Sequence, residues 1–156
     1  MSASRYGRAC SAGHLPACYD LYLAQYLAGS ANASRQNLFR LCVNHEHVKS
    51  CRAVAQIDWV GGRPDTAQSV LEQQCLGPAN DRDSCIEFGA LLAHRGERSR
   101  ALAILTRECQ RHENRSSLSS QQRVCQLTRK LEAGVTPLGL GDIFLEPIHG
   151  SRDVLE

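Results

Sequence analysis

Apolar residues along this chain recur three and four positions apart, in runs broken by short polar or glycine-bearing stretches. Ala101, Leu102, Ile104, Leu105 and Cys109 form one such stripe, and Val124, Leu127 and Leu131 form another. Residues so spaced share one face of an α-helix. Before residue 134 no stretch sustains the period-two alternation of a half-buried strand. The pattern predicts one set of helices over 17–28, 48–60 and 84–95, and a second set over 35–44, 64–76 and 98–112. A last amphipathic helix is expected within 120–133, after a polar loop over 112–120. Pro64 stands where a first helical turn tolerates proline, since that N–H has no intrahelical partner. Asp81 and Asp83 precede Cys85 and suit the positive end of a helix dipole. The chain is expected to be all-α.

The cysteines turn this helical pattern into a repeat. Cys10, Cys18, Cys42, Cys51, Cys75, Cys85, Cys109 and Cys125 are separated by 8, 24, 9, 24, 10, 24 and 16 residues. Read as two interleaved series, they step by 32, 33 and 34 residues and by 33, 34 and then 40, where the enlarged loop lies, a period of about 34 as in a helix-turn-helix array. Gly29, Gly62 and Gly96 each follow a cysteine of the second series by 11 residues. Small residues Ser34, Ala67 and Ala101 follow the glycines by 5, and the next cysteine comes 8 later. Glycine lets a helix end in a left-handed conformation, and a small residue lets two helices approach. Each unit therefore reads as helix, glycine turn, helix.

Composition narrows the function. With 156 residues and 42% hydrophobic content the chain can bury a core. Its net charge of +2 is spread thinly, which argues against nucleic acid or an anionic membrane as partner. No apolar run approaches the roughly 18 to 20 residues a membrane span needs. Residues 1–8 lack the apolar centre of a secretory signal. The first cysteine falls where a helix pair should be half finished, so a fragment or processed form is expected.

The spacing, with Gly89, Gly96, Ala101 and the segment 88–109, resembles the tetratricopeptide and Sel1-like repeat superfamily. The segment Cys10-Ser-Ala-Gly-His-Leu-Pro-Ala-Cys18 is similar to its cysteine-rich variant, typified by the Helicobacter cysteine-rich proteins. Cys42–Cys51 and Cys75–Cys85 are longer by one and two residues, and the Cys109–Cys125 stretch departs furthest. The resemblance covers about residues 7–132 and implies an α/α solenoid of helix-turn-helix repeats cross-linked by disulfides. The expected organisation is a partial unit over 1–14 and repeats over 15–47, 48–81 and 82–113. A capping helix over 120–133 completes the 1–133 array, and an irregular tail follows over 134–156. Family geometry places Tyr19, Leu23, Tyr26, Lys49, Arg52, Gln56, Trp59, Asp83, Ile86 and Ala90 along a concave groove. The expected binding residues are Tyr19, Tyr26, Lys49, Arg52, Gln56, Trp59 and Ile86, types that include the usual interface anchors.

In such antiparallel stacking the end of one helix lies beside the start of the next. That would bring Cys10 to Cys18, Cys42 to Cys51, Cys75 to Cys85 and Cys109 to Cys125, within disulfide reach. Disulfides imply an oxidising compartment. A competing set is metal: Cys42, His45, His47 and Cys51 offer zinc-type ligands, and Cys109 with His112 repeats the two-residue gap after Cys42. His14 lies between the first two cysteines, but no matching His pair recurs, whereas the cysteines do. Free or redox-active thiols are the third reading, without a Cys-x-x-Cys to favour them. No metal and no cofactor are expected.

Catalysis finds no support: there is no phosphate-cradling glycine loop and no nucleophile elbow. His94, Asp58 and Glu87 read as isolated residues on solvated helix faces. Asn32-Ala33-Ser34 and Asn114-Arg115-Ser116 fit the glycosylation triplet. The expected function is a non-catalytic scaffold, adaptor or assembly factor that binds a protein or peptide in the groove, periplasmic or secreted. Two alternatives stand beside it, the first implied by the resemblance and the second by paired cysteines about nine residues apart on helices. One is a β-lactam-binding or hydrolysing Sel1-like enzyme, for which the Ser-x-x-Lys motif is missing. The other is an assembly factor of the mitochondrial intermembrane space.

Overall fold

The computed structural model of the protein describes residues 3–111, 118–137 and 139–148. The helices are α1 (Ala3–Ser11), α2 (Leu15–Leu27), α3 (Ala31–His45), α4 (Val48–Val60), α5 (Pro64–Leu76), α6 (Arg82–His94), α7 (Arg98–Gln110), α8 (Leu118–Glu132) and the single turn α9 (Leu140–Ile143). Among the described residues there is no strand. The expected bounds of α4 and α5 are reproduced, whereas α3 begins four residues earlier than the apolar pattern suggests. His112, most of the 112–120 loop, the Asn114-Arg115-Ser116 triplet and the tail beyond residue 148 lie outside the described residues.

Two kinds of turn alternate, and each has one backbone solution used repeatedly. Gly29, Gly62 and Gly96 have φ of 104°, 76° and 87°, the left-handed region that side chains with a Cβ avoid. Around each, the glycine N–H bonds three residues back, to Tyr26, Trp59 and Ala93. The following N–H bonds five residues back, from Ser30 to Gln25, Arg63 to Asp58 and Glu97 to Leu92. These pairs satisfy carbonyls that a helix end leaves orphaned. Gly134, at φ 85°, repeats the turn after α8. In the other kind of turn, Gly13, Glu46 and Asn80 are left-handed, each five residues before a cysteine. The residue after them caps the next helix. Asp81 does so with its side chain, accepting from the Ser84 N–H at 2.9 Å and the Ser84 hydroxyl at 2.7 Å.

The chain divides into two compact units. One holds the described residues up to Ala67 together with Ile148; the other holds Gln68–Pro147, so α5 begins in the first and ends in the second. In the first unit α1 packs on α2, α2 on α3 and α3 on α4, around Leu38, Leu41, Val54 and Ile57. In the second unit α6 packs against α7, α8 and α9. Residues 84–93 of α6 are all buried, so this helix is the axis of its unit. The small residues of the repeat, Ser34, Ala67 and Ala101, are each 0% exposed. Gly89 serves the same end: a Cβ there would lie 2.6 Å from Leu105 Cδ2, so α6 and α7 meet at a distance only glycine allows.

Candidate functional site

Each of the eight cysteines pairs with its neighbour in the cysteine order; the first three pairs join the end of one helix to the first turns of the next, whereas Cys125 lies midway along α8. Cys10–Cys18, Cys42–Cys51, Cys75–Cys85 and Cys109–Cys125 form disulfides with Cα separations of 4.5, 4.8, 4.6 and 4.9 Å. Such bonding leaves Cys42 and Cys51 without the thiolates that a zinc site with His45 and His47 would need. Among the described residues no group of three or more His, Cys, Asp or Glu is placed to hold a metal ion. The bridges are structural clamps and fit an oxidising compartment. Above Cys75–Cys85, the Arg107 guanidinium donates to both sulfurs, at 3.7 and 3.5 Å.

The expected binding residues separate by unit and by burial. In the first unit Lys49, Arg52, Gln56 and Trp59 are spaced three, four and three apart on α4, which puts them on one face. Lys49 is exposed, Arg52 and Trp59 are half-buried, and Gln56 is buried. Tyr19 is also buried; its ring leans on His47 at 5.6 Å and carries the Lys49 ammonium at 5.0 Å. Tyr26 and Leu23 are half-buried on α2. In the second unit Ile86 and Ala90 are 1% and 0% exposed and belong to the packing of α6, while Asp83 is half-buried. Tyr26, Lys49, Arg52 and Trp59 are thus the part of the expected surface that lies within reach of a partner.

His47 closes this corner. It is the residue before α4, and its Nδ1 lies 2.6 Å from the Ser50 hydroxyl. Burial pushes its pKa below the ordinary histidine value, and the Lys49 charge pushes it further the same way.

Three acids behave differently from the solvated default. Asp58 is 0% exposed and takes a bidentate pair from Arg35, at 2.7 and 2.9 Å, with Arg63 at 3.0 Å on the same oxygen. The bond to Asp58 in turn raises the Arg35 pKa. Glu108 is likewise 0% exposed, ringed by Arg82, Arg107 and Arg111. Glu87, 1% exposed, accepts the backbone N–H of Leu145 at 2.9 Å. His94 is half-buried, with Nδ1 donating to the Pro137 carbonyl at 2.6 Å. In the first unit the buried Gln56 accepts the Ile148 N–H at 2.5 Å. Sequence reasoning missed these roles because each residue but Glu108 draws its decisive partner from a distant stretch of chain, and Glu108 is joined by Arg82 from 26 residues away. Ser34, third residue of a glycosylation triplet, is buried inside α3.

Beside α8 lies a cavity of about 460 Å³ whose walls include Arg123, Leu127, Lys130, Val135, Pro137 and Asp142. No helix among the described residues is long and apolar enough to cross a membrane. Compared with known proteins, the chain matches no family model, no curated protein and no solved structure.

Proposed function

We propose that this chain is a short helical-repeat scaffold of the tetratricopeptide or Sel1-like kind, captures a protein or peptide segment, and catalyses no reaction on it. Recurrence supports the repeat reading: four equivalent glycine turns, three left-handed residues five before a cysteine, and a disulfide at each junction between hairpins. The binding reading is carried by the α4 face, where a cation, a guanidinium and an indole follow one another along the helix at Lys49, Arg52 and Trp59. Arg and Trp offer large contact area with few rotors to freeze, and two positive charges favour an acidic segment. The reading puts the protein in the periplasm or outside the cell, where its four disulfides persist.

Affinity capture with the oxidised protein, followed by mass spectrometry, identifies the partner. Trp59→Ala and Arg52→Glu are each expected to weaken the captured interaction about tenfold or more, with the helical circular dichroism unchanged. Undiminished capture by both variants rejects this surface. Nitrocefin is expected to remain intact with the purified protein; its turnover would replace the scaffold by the β-lactam-hydrolysing alternative.

A further inference from the structure

α8 ends on the same glycine turn as α2, α4 and α6, so the repeat calls for a second helix after Gly134. Pro137 and Gly139 intervene instead, and the chain makes only the one turn of α9 before running on without helix through Phe144–Ile148. Leu140, Ile143 and Phe144 are 4%, 1% and 0% exposed, while Gly141, Asp142, Glu146 and Pro147 face solvent. The second unit holds this stretch by its main chain. His94 donates to the carbonyl of Pro137, Arg123 to the carbonyls of Gly141 and Phe144, and Glu87 accepts from the N–H of Leu145. Three side chains from two helices thus reach backbone atoms, which any peptide possesses. A pocket of about 460 Å³, lined mainly by exposed side chains, opens at the surface between this stretch and α8. Buried anchors and main-chain recognition are the marks of a bound peptide.

We propose that the α6 face around Glu87 is a docking site for an apolar peptide whose anchors lie on and just after a single helical turn, and that the chain's own 139–147 stretch is its resident occupant. A partner that displaces it presents the same chemistry. It carries two adjacent bulky apolar residues, a third apolar residue three positions before the pair, and a non-proline residue immediately after, to give Glu87 its N–H. This deepens the scaffold reading and rests on it for the premise that the chain captures segments of other proteins, but it uses a different face.

The test keeps the whole chain. A specific protease site is placed at exposed Val135–Thr136, and the folded, oxidised protein is cut there. A fluorescein-labelled synthetic peptide of residues 137–147, which stops short of the Ile148 contact with Gln56, is then added and followed by anisotropy. The cut protein is expected to keep its helical signal and take up the peptide, and the uncut protein to take up at least about tenfold less. A peptide carrying Leu145→Pro, which lacks the donor for Glu87, is expected to bind at least about tenfold more weakly, as is the wild-type peptide to a Glu87→Ala protein. Because the proline sits in the peptide, that comparison survives any folding defect of the Glu87 variant. Loss of helix on cutting, failure of the peptide to exchange, equal binding by the uncut chain, or indifference to the proline each overturns the proposal. Trp59→Ala leaves this exchange unaltered, so the α4 surface and the α6 site fail independently.

Discussion

Ser34 occupies the position that Ala67 and Ala101 fill in the following repeats, and all three are sealed from solvent. Its hydroxyl has no hydrogen-bond partner among the described residues. A buried donor without a partner costs free energy that a methyl group does not. Ser34→Ala is therefore expected to stabilise the protein by about 1 kcal/mol, read as a higher urea midpoint at unchanged m value. Glu46 poses the matching backbone question. It holds φ 50° where Gly13 stands in the preceding junction, and it is exposed. The left-handed region costs an L-residue about 1 to 2 kcal/mol, part of which glycine's extra freedom in the unfolded chain offsets. Glu46→Gly should raise the thermal midpoint, and a fall would show that the Glu46 side chain contributes more than its backbone costs. His47 sets a pH dependence. Its folded pKa lies below the unfolded value of about 6.5, so between the two the unfolded chain binds more protons. That contribution is full above about pH 6.5 and is lost as pH falls through the folded value. In His47→Gln the acid-side decline in thermal midpoint should be shallower.

At the scale of elements, the contact of α6 with α7 depends on Gly89 lying against Leu105. Gly89→Ala is expected to cost about 1 to 3 kcal/mol, because Leu105 is fully buried and has little room to yield. Denaturant unfolding measures it. The same elements show what the sequence disclosed and what it hid. Helix bounds, glycine turns and small residues at fixed offsets are properties of neighbours along the chain, so α4, α5 and the Gly29, Gly62 and Gly96 turns were legible. The start of α3 was not, since Ala31, Asn32, Ala33 and Ser34 carry no large apolar residue to mark a face. Asp58, Glu87 and Gln56 looked like surface residues for a different reason. Arg35 is 23 positions from Asp58, Leu145 is 58 from Glu87 and Ile148 is 92 from Gln56, so only the fold brings the partners together. Three of the seven expected binding residues went the same way: Tyr19, Gln56 and Ile86 have the right offsets and residue types, but burial is decided by what packs over them.

For the molecule as a whole, the described residues include no free cysteine. Thiol titration in denaturant should find none until reductant is added, and eight afterwards. Each bridge closes a short loop, so replacing one pair by alanine should cost about 2 to 3 kcal/mol by chain-entropy reasoning. Against a typical net stability of about 5 to 15 kcal/mol, loss of all four is expected to leave the protein unfolded at body temperature.

Partners separated by only 8, 9, 10 and 16 residues carry a consequence for biogenesis. Eight thiols can be joined in about 105 ways, and many oxidised proteins need an isomerase to sort such choices. Here the correct mate of Cys10, Cys42, Cys75 and Cys109 is in each case simply the next cysteine to appear as the polypeptide emerges N-terminus first. A plain oxidant acting during synthesis can close each bond before a competitor exists, so vectorial delivery itself proofreads the pairing. Oxidation of the fully reduced, finished chain in a test tube forfeits that order and should yield scrambled isomers.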